Sequence, residues 1–322
     1  MRQLQITAED AGQRLDKYLV KYLPGAPRSL IYKALRKKDI RLNGRRAEPS
    51  ALLAAGDTLS IRFSEDRLAG MERSAAAARP EPESARIPSE KAFSILYEDH
   101  DLIVVNKAAG ILSQKSRPED ISINELLLQY AKGRYDEKAA FVPSVCNRLD
   151  RNTSGILCFA LNYRTARALS ELLRDRRVEK YYLALVQGRV EEPGGGKAFL
   201  EKDRALNLSG VTAGGSPEAS EIETYYEPVR VMEDRTLLRI SLKTGRSHQI
   251  RAYMAYLGHP VLGDPKYGDA ELNRRLRKEY GIRSQLLHSA ELVFPETDGS
   301  LPAGLSGRRF QAPLPEAFKA LI

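Results

Sequence analysis

Residues 179–186, Glu-Lys-Tyr-Tyr-Leu-Ala-Leu-Val, limit the possible folds of this chain more than any other stretch. Alternate side chains of a strand point to opposite faces. Here one face is Tyr181, Leu183 and Leu185, and the other is Tyr182, Ala184 and Val186. Both are apolar, so the strand belongs in the interior of a sheet covered on two sides. Strand patterns at 93–97, 102–106, 155–161, 224–232, 236–243 and 286–294 supply neighbours, and helical patterns fall at 121–132, 163–177 and 247–257. Strands and helices do not alternate regularly. The pattern predicts an α+β domain over residues 91–322, built around a mixed, mainly antiparallel sheet.

Residues 1–64 read as a separate small module containing both helices and strands. Leu15, Tyr18, Leu19, Tyr22 and Leu23 recur at helical spacing up to Pro24-Gly25. Ser29 is placed to cap a second helix through Lys38, whose apolar side is Leu30, Ile31, Ala34 and Leu35. Asn43-Gly44 is a hairpin turn signal, and Leu59, Ile61 and Phe63 share one face of a following strand. The chain carries a net charge of +9, and this module holds thirteen basic residues against six acidic ones. Lys33, Arg36 and Lys37 lie on one helical face. Charge this concentrated suits a polyanion, of which nucleic acid is the commonest, although a solvated basic face has the same composition.

Between the modules, residues 65–90 are rich in alanine, proline and charge and contain no aromatic residue, so they read as a flexible linker. With no long apolar run, the chain is expected to be cytoplasmic, without membrane association. Cys146 and Cys158 are too few for a disulfide framework and read as buried thiols. The four histidines are scattered and form no metal-binding pattern, so no metal is expected.

The candidate chemistry centres on Asn147-Arg148-Leu149-Asp150-Arg151-Asn152-Thr153-Ser154-Gly155. Arg148 and Arg151 flank Asp150 and would favour its ionised form. Such a carboxylate can attack carbon or take a proton. Tyr182 offers a flat ring for a base if its strand borders a pocket. In 243–251, Arg246 and Arg251 are about one and a half turns apart and face different ways, so one can pair with a carboxylate and the other with phosphate. Ser247 is placed to cap that helix. Taken alone, these arginines read more readily as surface residues near a helix start, and His248 as a structural histidine. The glycine- and proline-rich 258–268 reads as loop that shapes a cleft. Lys107 could reach phosphate or simply end a strand, and Gly194-Gly195-Gly196 reads as a loop.

These residues carry a resemblance. Arg148-Leu149-Asp150-Arg151-x-Thr153-Ser154-Gly155, Lys180-x-Tyr182-x-Ala184, Gly245-Arg246-Ser247-His248-Gln249-Ile250-Arg251 and Gly258-His259-Pro260 with Gly263-Asp264 occur in the order found in the RluA-type pseudouridine synthases. The chain resembles that family over most of residues 93–294. Residues 1–64, with Ile31-Tyr32-Lys33-x-Leu35-Arg36-Lys37 and Arg41-x-Asn43, resemble the S-four-type RNA-binding domain. The resemblance implies the pseudouridine synthase fold and isomerisation of uridine to pseudouridine in RNA, ribosomal RNA first and transfer RNA second, with no cofactor; separately, a monomer with no obligate protein partner is expected. It also implies that Asp150 acts on the ribose, that Arg251 pairs with it, that Tyr182 stacks on the target base and that Arg148 fills the gap left by the flipped nucleotide. Lys33, Arg36, Lys37, Arg41, Lys107 and Arg246 are the expected RNA contacts. Where the family commonly has histidine before Arg-Leu-Asp, this chain has Asn147. A non-catalytic RNA-binding assembly factor with the same fold is the alternative. A base-releasing glycosylase is disfavoured, because no second acid is evident beside Asp150.

Overall fold

The computed structural model describes residues 1–8, 10–77, 89–135, 141–203, 208–217, 219–296, 302 and 304–322. In chain order the elements of the N-terminal part are β1 (Arg2–Gln5), α1 (Leu15–Tyr22), α2 (Arg28–Arg36), β2 (Ile40–Leu42), β3 (Thr58–Ile61) and α3 (Glu65–Ala77). They form a three-stranded antiparallel sheet, β1-β3-β2, with Leu15, Leu19, Ile31, Leu35, Leu59 and Ile61 in its core. Helix α2 starts at Arg28 after Pro27 and has no side-chain cap, so Ser29 does not serve as one. Proline fits there because its fixed φ suits a helix start.

The linker expected at 65–90 differs over its first half. Glu65–Ala77 is helical, and Leu68 and Met71 are buried in the N-terminal core. Alanine is the strongest helix former, and two apolar residues three apart suffice to anchor one face, even without an aromatic. The rest of that stretch, 78–88, lies outside the described residues.

The larger part comprises α4 (Ser89–Ala92), β4 (Phe93–Glu98), β5 (Leu102–Lys107), α5 (Ile123–Tyr130), β6 (Ser144–Val145), β7 (Ser154–Ala160), α6 (Tyr163–Arg174), β8 (Glu179–Gln187), β9 (Gly194–Asp203), β10 (Leu208–Thr212), β11 (Ser220–Val231), β12 (Arg235–Leu242), α7 (Gln249–Tyr256), α8 (Ala270–Tyr280), β13 (Leu287–Val293), β14 (Arg309–Gln311) and α9 (Glu316–Lys319). The sheet runs β10-β9-β11-β12-β8-β13-β7-β5-β4, with β14 on β13 and β6 on β7. Strand β8 lies in its interior, as the two apolar faces require. The β13–β7 pairing is parallel and the others are antiparallel, which is the mixed, mainly antiparallel α+β arrangement read from the sequence. Among the described residues no helix is long and apolar enough to cross a membrane.

Gly194-Gly195-Gly196 is not a loop but the start of β9, paired with Tyr226, Tyr225 and Thr224 of β11. A Cβ on Gly195, whose φ is +121°, would stand 2.2 Å from the Thr224 carbonyl oxygen. The glycines that suggested a loop are what let two strands approach.

Gly155 has the same role at a more consequential place. It opposes Ser289 in the parallel β7–β13 pair, with φ +112°, and a Cβ there would sit 2.2 Å from the Ser289 oxygen. Gly155→Ala is expected to force β7 from β13 and cost more than about 3 kcal/mol by denaturant unfolding, since clash and positive φ add. Gly210→Ala in β10, where the added carbon meets nothing within 4 Å, should stay within about 1 kcal/mol of the parent. Equal losses would refute the close-approach explanation.

Candidate active site

The segment leading into β7 is held by its backbone. Ser113 Oγ donates to the Leu149 carbonyl at 2.8 Å and accepts from the Leu149 N–H at 3.0 Å. The Arg151 carbonyl accepts from the Gly110 N–H at 2.9 Å and from Lys107 Nζ at 3.0 Å, and the Asp150 carbonyl accepts from the Thr153 N–H at 3.1 Å. Residues on both sides of Asp150 are therefore pinned. Its side chain is left free to project.

That side chain meets Arg251, which comes from α7. Arg251 is buried, and its three nitrogens divide between two carboxylates. Nε and Nη2 donate to Asp264 at 2.6 and 2.8 Å, while Nη1 donates to Asp150 Oδ2 at 3.1 Å. Asp264 is fully buried and also accepts from the Lys266 and Tyr267 backbone N–H groups at 2.9 and 3.2 Å. Burial opposes the guanidinium charge most strongly. Hydrogen bonds and charge from Asp264 and then Asp150 outweigh it, and the pKa is raised.

His248 is the second neighbour of Asp150. It precedes α7 in the left-handed region, at φ 60°, and the helix has no side-chain cap, so Ser247 does not provide one. Its Nε2 is 3.9 Å from Asp150 Oδ2, and Nδ1 is 3.0 Å from the Tyr267 hydroxyl, which accepts from the Ser209 N–H at 2.8 Å. Burial lowers the His248 pKa, against the opposing pull of Asp150. A neutral ring whose Nδ1 accepts from Tyr267 carries its proton on Nε2, toward the carboxylate.

Tyr182 completes the inner pocket of about 80 Å³, together with Asp150, Thr153, Leu242, Arg251 and Leu287. Burial, the largest influence, and the charge of Asp150 push its pKa up to about 12 against a lowering by Ser289, so the ring presents a neutral phenol. The pocket lies beside a cleft of about 630 Å³ whose wall includes Lys115, Arg148, Arg151, Arg246 and Lys266. The volume is that of a small-molecule site, and the lining is cationic.

Several expectations change. The flanking Arg148 and Arg151 are exposed, and the ion pair to Asp150 comes from Arg251, the partner that the resemblance implied, with the His248 ring 3.9 Å away. Lys107 is fully buried and does not face RNA. Its ammonium donates to the carbonyls of Ala108, Ile111 and Arg151, fixing the loop behind Asp150, while burial pulls its pKa down to about 7 against the raising effect of Asp150. Asn147 does not approach Asp150 by hydrogen bonding. Its side chain accepts from the Cys158 N–H at 2.8 Å and donates to the Ile156 carbonyl at 3.0 Å, acting as a rung of β7. Both cysteines are free. Burial pushes the Cys146 thiol up to about 12 and raises that of Cys158. Lys33, Arg36 and Lys37 are exposed on α2, with Arg41 half-buried beside them and Nε bonded to the Lys38 carbonyl. Asp264 was missed, because glycine and proline density spoke only of a loop. Its place in the Gly263-Asp264 motif was the signal that could have found it.

Residues 101–256 match the model of the RNA pseudouridylate synthase family, and residues 13–59 match the S4 domain. Ribosomal large subunit pseudouridine synthase C of Escherichia coli (strain K12) is 34% identical over 98% of this chain and 94% of its own length. The protein of the same description from Pasteurella multocida (strain Pm70) is 34% identical over 100% and 93%. The chain belongs to the RNA pseudouridylate synthase family. It is an RNA pseudouridine synthase with an S4 domain at its N-terminal end. Among solved structures, Human RNA Pseudouridylate Synthase Domain Containing 1 superposes with a TM-score of 0.52 at 26% identity, covering 73% of this chain and 97% of that one. Human RNA Pseudouridylate Synthase Domain Containing 4 gives 0.55 at 24%, covering 70% and 90%, a likeness of fold.

The two carboxylates on Arg251 should differ in energetic weight. Asp264→Ala would leave a buried guanidinium half-paired, and is expected to cost about 3–5 kcal/mol in denaturant unfolding. Asp150→Ala, at a partly exposed position with Asp264 still in place, should cost less than about 2 kcal/mol. Equal costs would contradict the division of labour.

Proposed function

We propose that this synthase modifies uridine in ribosomal large-subunit RNA, with Asp150 acting on the ribose of a nucleotide flipped into the Tyr182 pocket. The observation that carries the reading is the hydrogen bond from buried Arg251 to partly exposed Asp150 at 3.1 Å. It holds a carboxylate in the wall of a cationic cleft. Such a group can attack C1′ or take a proton from the sugar.

The reaction is an isomerisation. The C1′–N1 bond breaks, the uracil turns, C1′ joins C5, the C5 proton leaves and N1 gains a proton. Nothing is oxidised overall, so the chemistry calls for a carboxylate, a base-stacking surface and proton transfer rather than an electron acceptor. Tyr182 supplies the ring face against which the uracil turns. Arg148, exposed at the pocket mouth, fills the vacated stack, and Arg246 contacts phosphate. Flipping a base costs about a few kcal/mol, which these contacts offset.

Residues 1–64 dock the RNA through Lys33, Arg36, Lys37 and Arg41, and residues 91–322 perform catalysis, as a monomer in the cytoplasm. The E. coli and P. multocida relatives, named for the ribosomal large subunit and similar over nearly the whole chain, support this substrate over transfer RNA. The presence of Asp150, Arg251 and Tyr182 around one pocket weighs against a non-catalytic assembly factor.

The test is to incubate the purified chain with unmodified large-subunit ribosomal RNA and, separately, transfer RNA. Pseudouridine is then mapped by chemical labelling and primer extension. Modification of the ribosomal RNA is expected, with Asp150→Asn slower by at least about a hundredfold, the low end for losing a base or nucleophile. Modification of transfer RNA alone would reassign the substrate. An active Asp150→Asn would remove the aspartate from the chemistry.

A further inference from the structure

The mechanism leaves one cation unused. Lys180 lies on β8 two residues before Tyr182, so alternation puts both side chains on the same face of the sheet, roughly 6–7 Å apart along the strand. The side chain is half-buried. Its amine reaches Gly245, where an added Cβ would stand 3.7 Å from Nζ. Gly245 lines both the inner pocket and the outer cleft. Lys180 thus sits at the margin of the site without forming its lining.

Its surroundings are unusual for a lysine. Among the described residues no carboxylate or carbonyl bonds to Nζ, and the neighbouring charges that bear on it, Arg176 and Lys243, are both positive; with burial, the largest effect, they lower its pKa. Glu179 is turned away, accepting a hydrogen bond from the Tyr181 hydroxyl at 2.8 Å on the opposite face. Gathering two further cations around one partly buried amine costs stability unless an anion joins them. Lys107 makes the contrast, because its buried amine is satisfied by three carbonyls.

We propose that Lys180, flanked by Arg176 and Lys243 and opened to solvent by Gly245, is a seat for a backbone phosphate of the RNA whose nucleotide occupies the Tyr182 pocket. A phosphodiester supplies the missing negative charge, and its oxygens accept from several donors at once. The seat holds the strand beside the flipped nucleotide, where positioning matters most. This proposal rests on the RNA substrate reading above.

The experiment compares the full chain with Lys180→Met and Lys180→Arg, using the RNA fragment that the parent binds. Lys180→Met is expected to weaken binding about tenfold in low salt and to lower the slope of log Kd against log salt by about one. Lys180→Arg should restore most of both. The loss in kcat/KM should fall mainly in KM. Thermal unfolding without RNA supplies the second readout, with Lys180→Met melting at or above the parent temperature because an unpaired cation is removed. Parental binding and salt slope in Lys180→Met would overturn the proposal, and so would a lower melting temperature with no recovery by arginine, which marks a structural lysine. Binding needs no turnover, so the two failures are separable. A parent that binds RNA through Lys180 yet forms no pseudouridine would sink the functional reading and leave the phosphate seat standing.

Discussion

One guanidinium shared between two carboxylates is the constraint around which the site is arranged. Arg251 is buried, and a charge removed from water needs partners on every side. Asp264 takes Nε and Nη2 in a fork, leaving Nη1 for Asp150. The two acids are not equivalent. Asp264, fully buried and bonded also to the Lys266 and Tyr267 amides, fixes the arginine, whereas Asp150 retains solvent access and oxygen capacity for a substrate. This explains why a glycosylase-like acid pair is absent in effect. The second carboxylate exists, but it is occupied.

The sheet exists in this form to bring those three residues together. Asp150 lies just before β7, Arg251 on α7 after β12, and Asp264 on the loop before α8, so no local sequence contact joins them. The parallel pairing of β7 with β13 in an otherwise antiparallel sheet sets the register at Ser154–His288 and Gly155–Ser289. Gly155 makes the approach possible, and Ser154 Oγ, 2.8 Å from His288 Nδ1, ties the two strands again. Behind the carboxylate, Lys107 and Ser113 hold the backbone. Rigid placement of this kind is what positions a reacting group.

The layering of the fold was legible because its signal is periodic. Strand β8 with two apolar faces, and the strands around it, announce an interior sheet wherever it is read. The short motif around Asp150 was equally plain, as was the exposed basic face of α2. What escaped notice depends on distance or conformation. Charge proximity along the chain pointed to Arg148 and Arg151 as the partners of Asp150, and only the family resemblance pointed to Arg251, which the fold delivers from a hundred residues away. Three glycines looked like a loop because composition cannot distinguish a flexible backbone from one closely approached. Lys107 looked like a phosphate ligand because a lysine's burial is set by what folds over it. His248 was ambiguous for the same reason, its position being fixed by a left-handed backbone conformation and by Tyr267.

The forked geometry of Arg251, not merely its charge, fixes the position of Asp150. Arg251→Lys tests it directly, since lysine keeps the charge but cannot bond two carboxylates through a planar fork. Initial rates of pseudouridine formation at saturating RNA, measured on protein shown by its unfolding transition to be folded, should fall by at least about a hundredfold, the scale on which misplacement of a catalytic group acts. A folded Arg251→Lys variant working within about threefold of the parent rate would contradict the account.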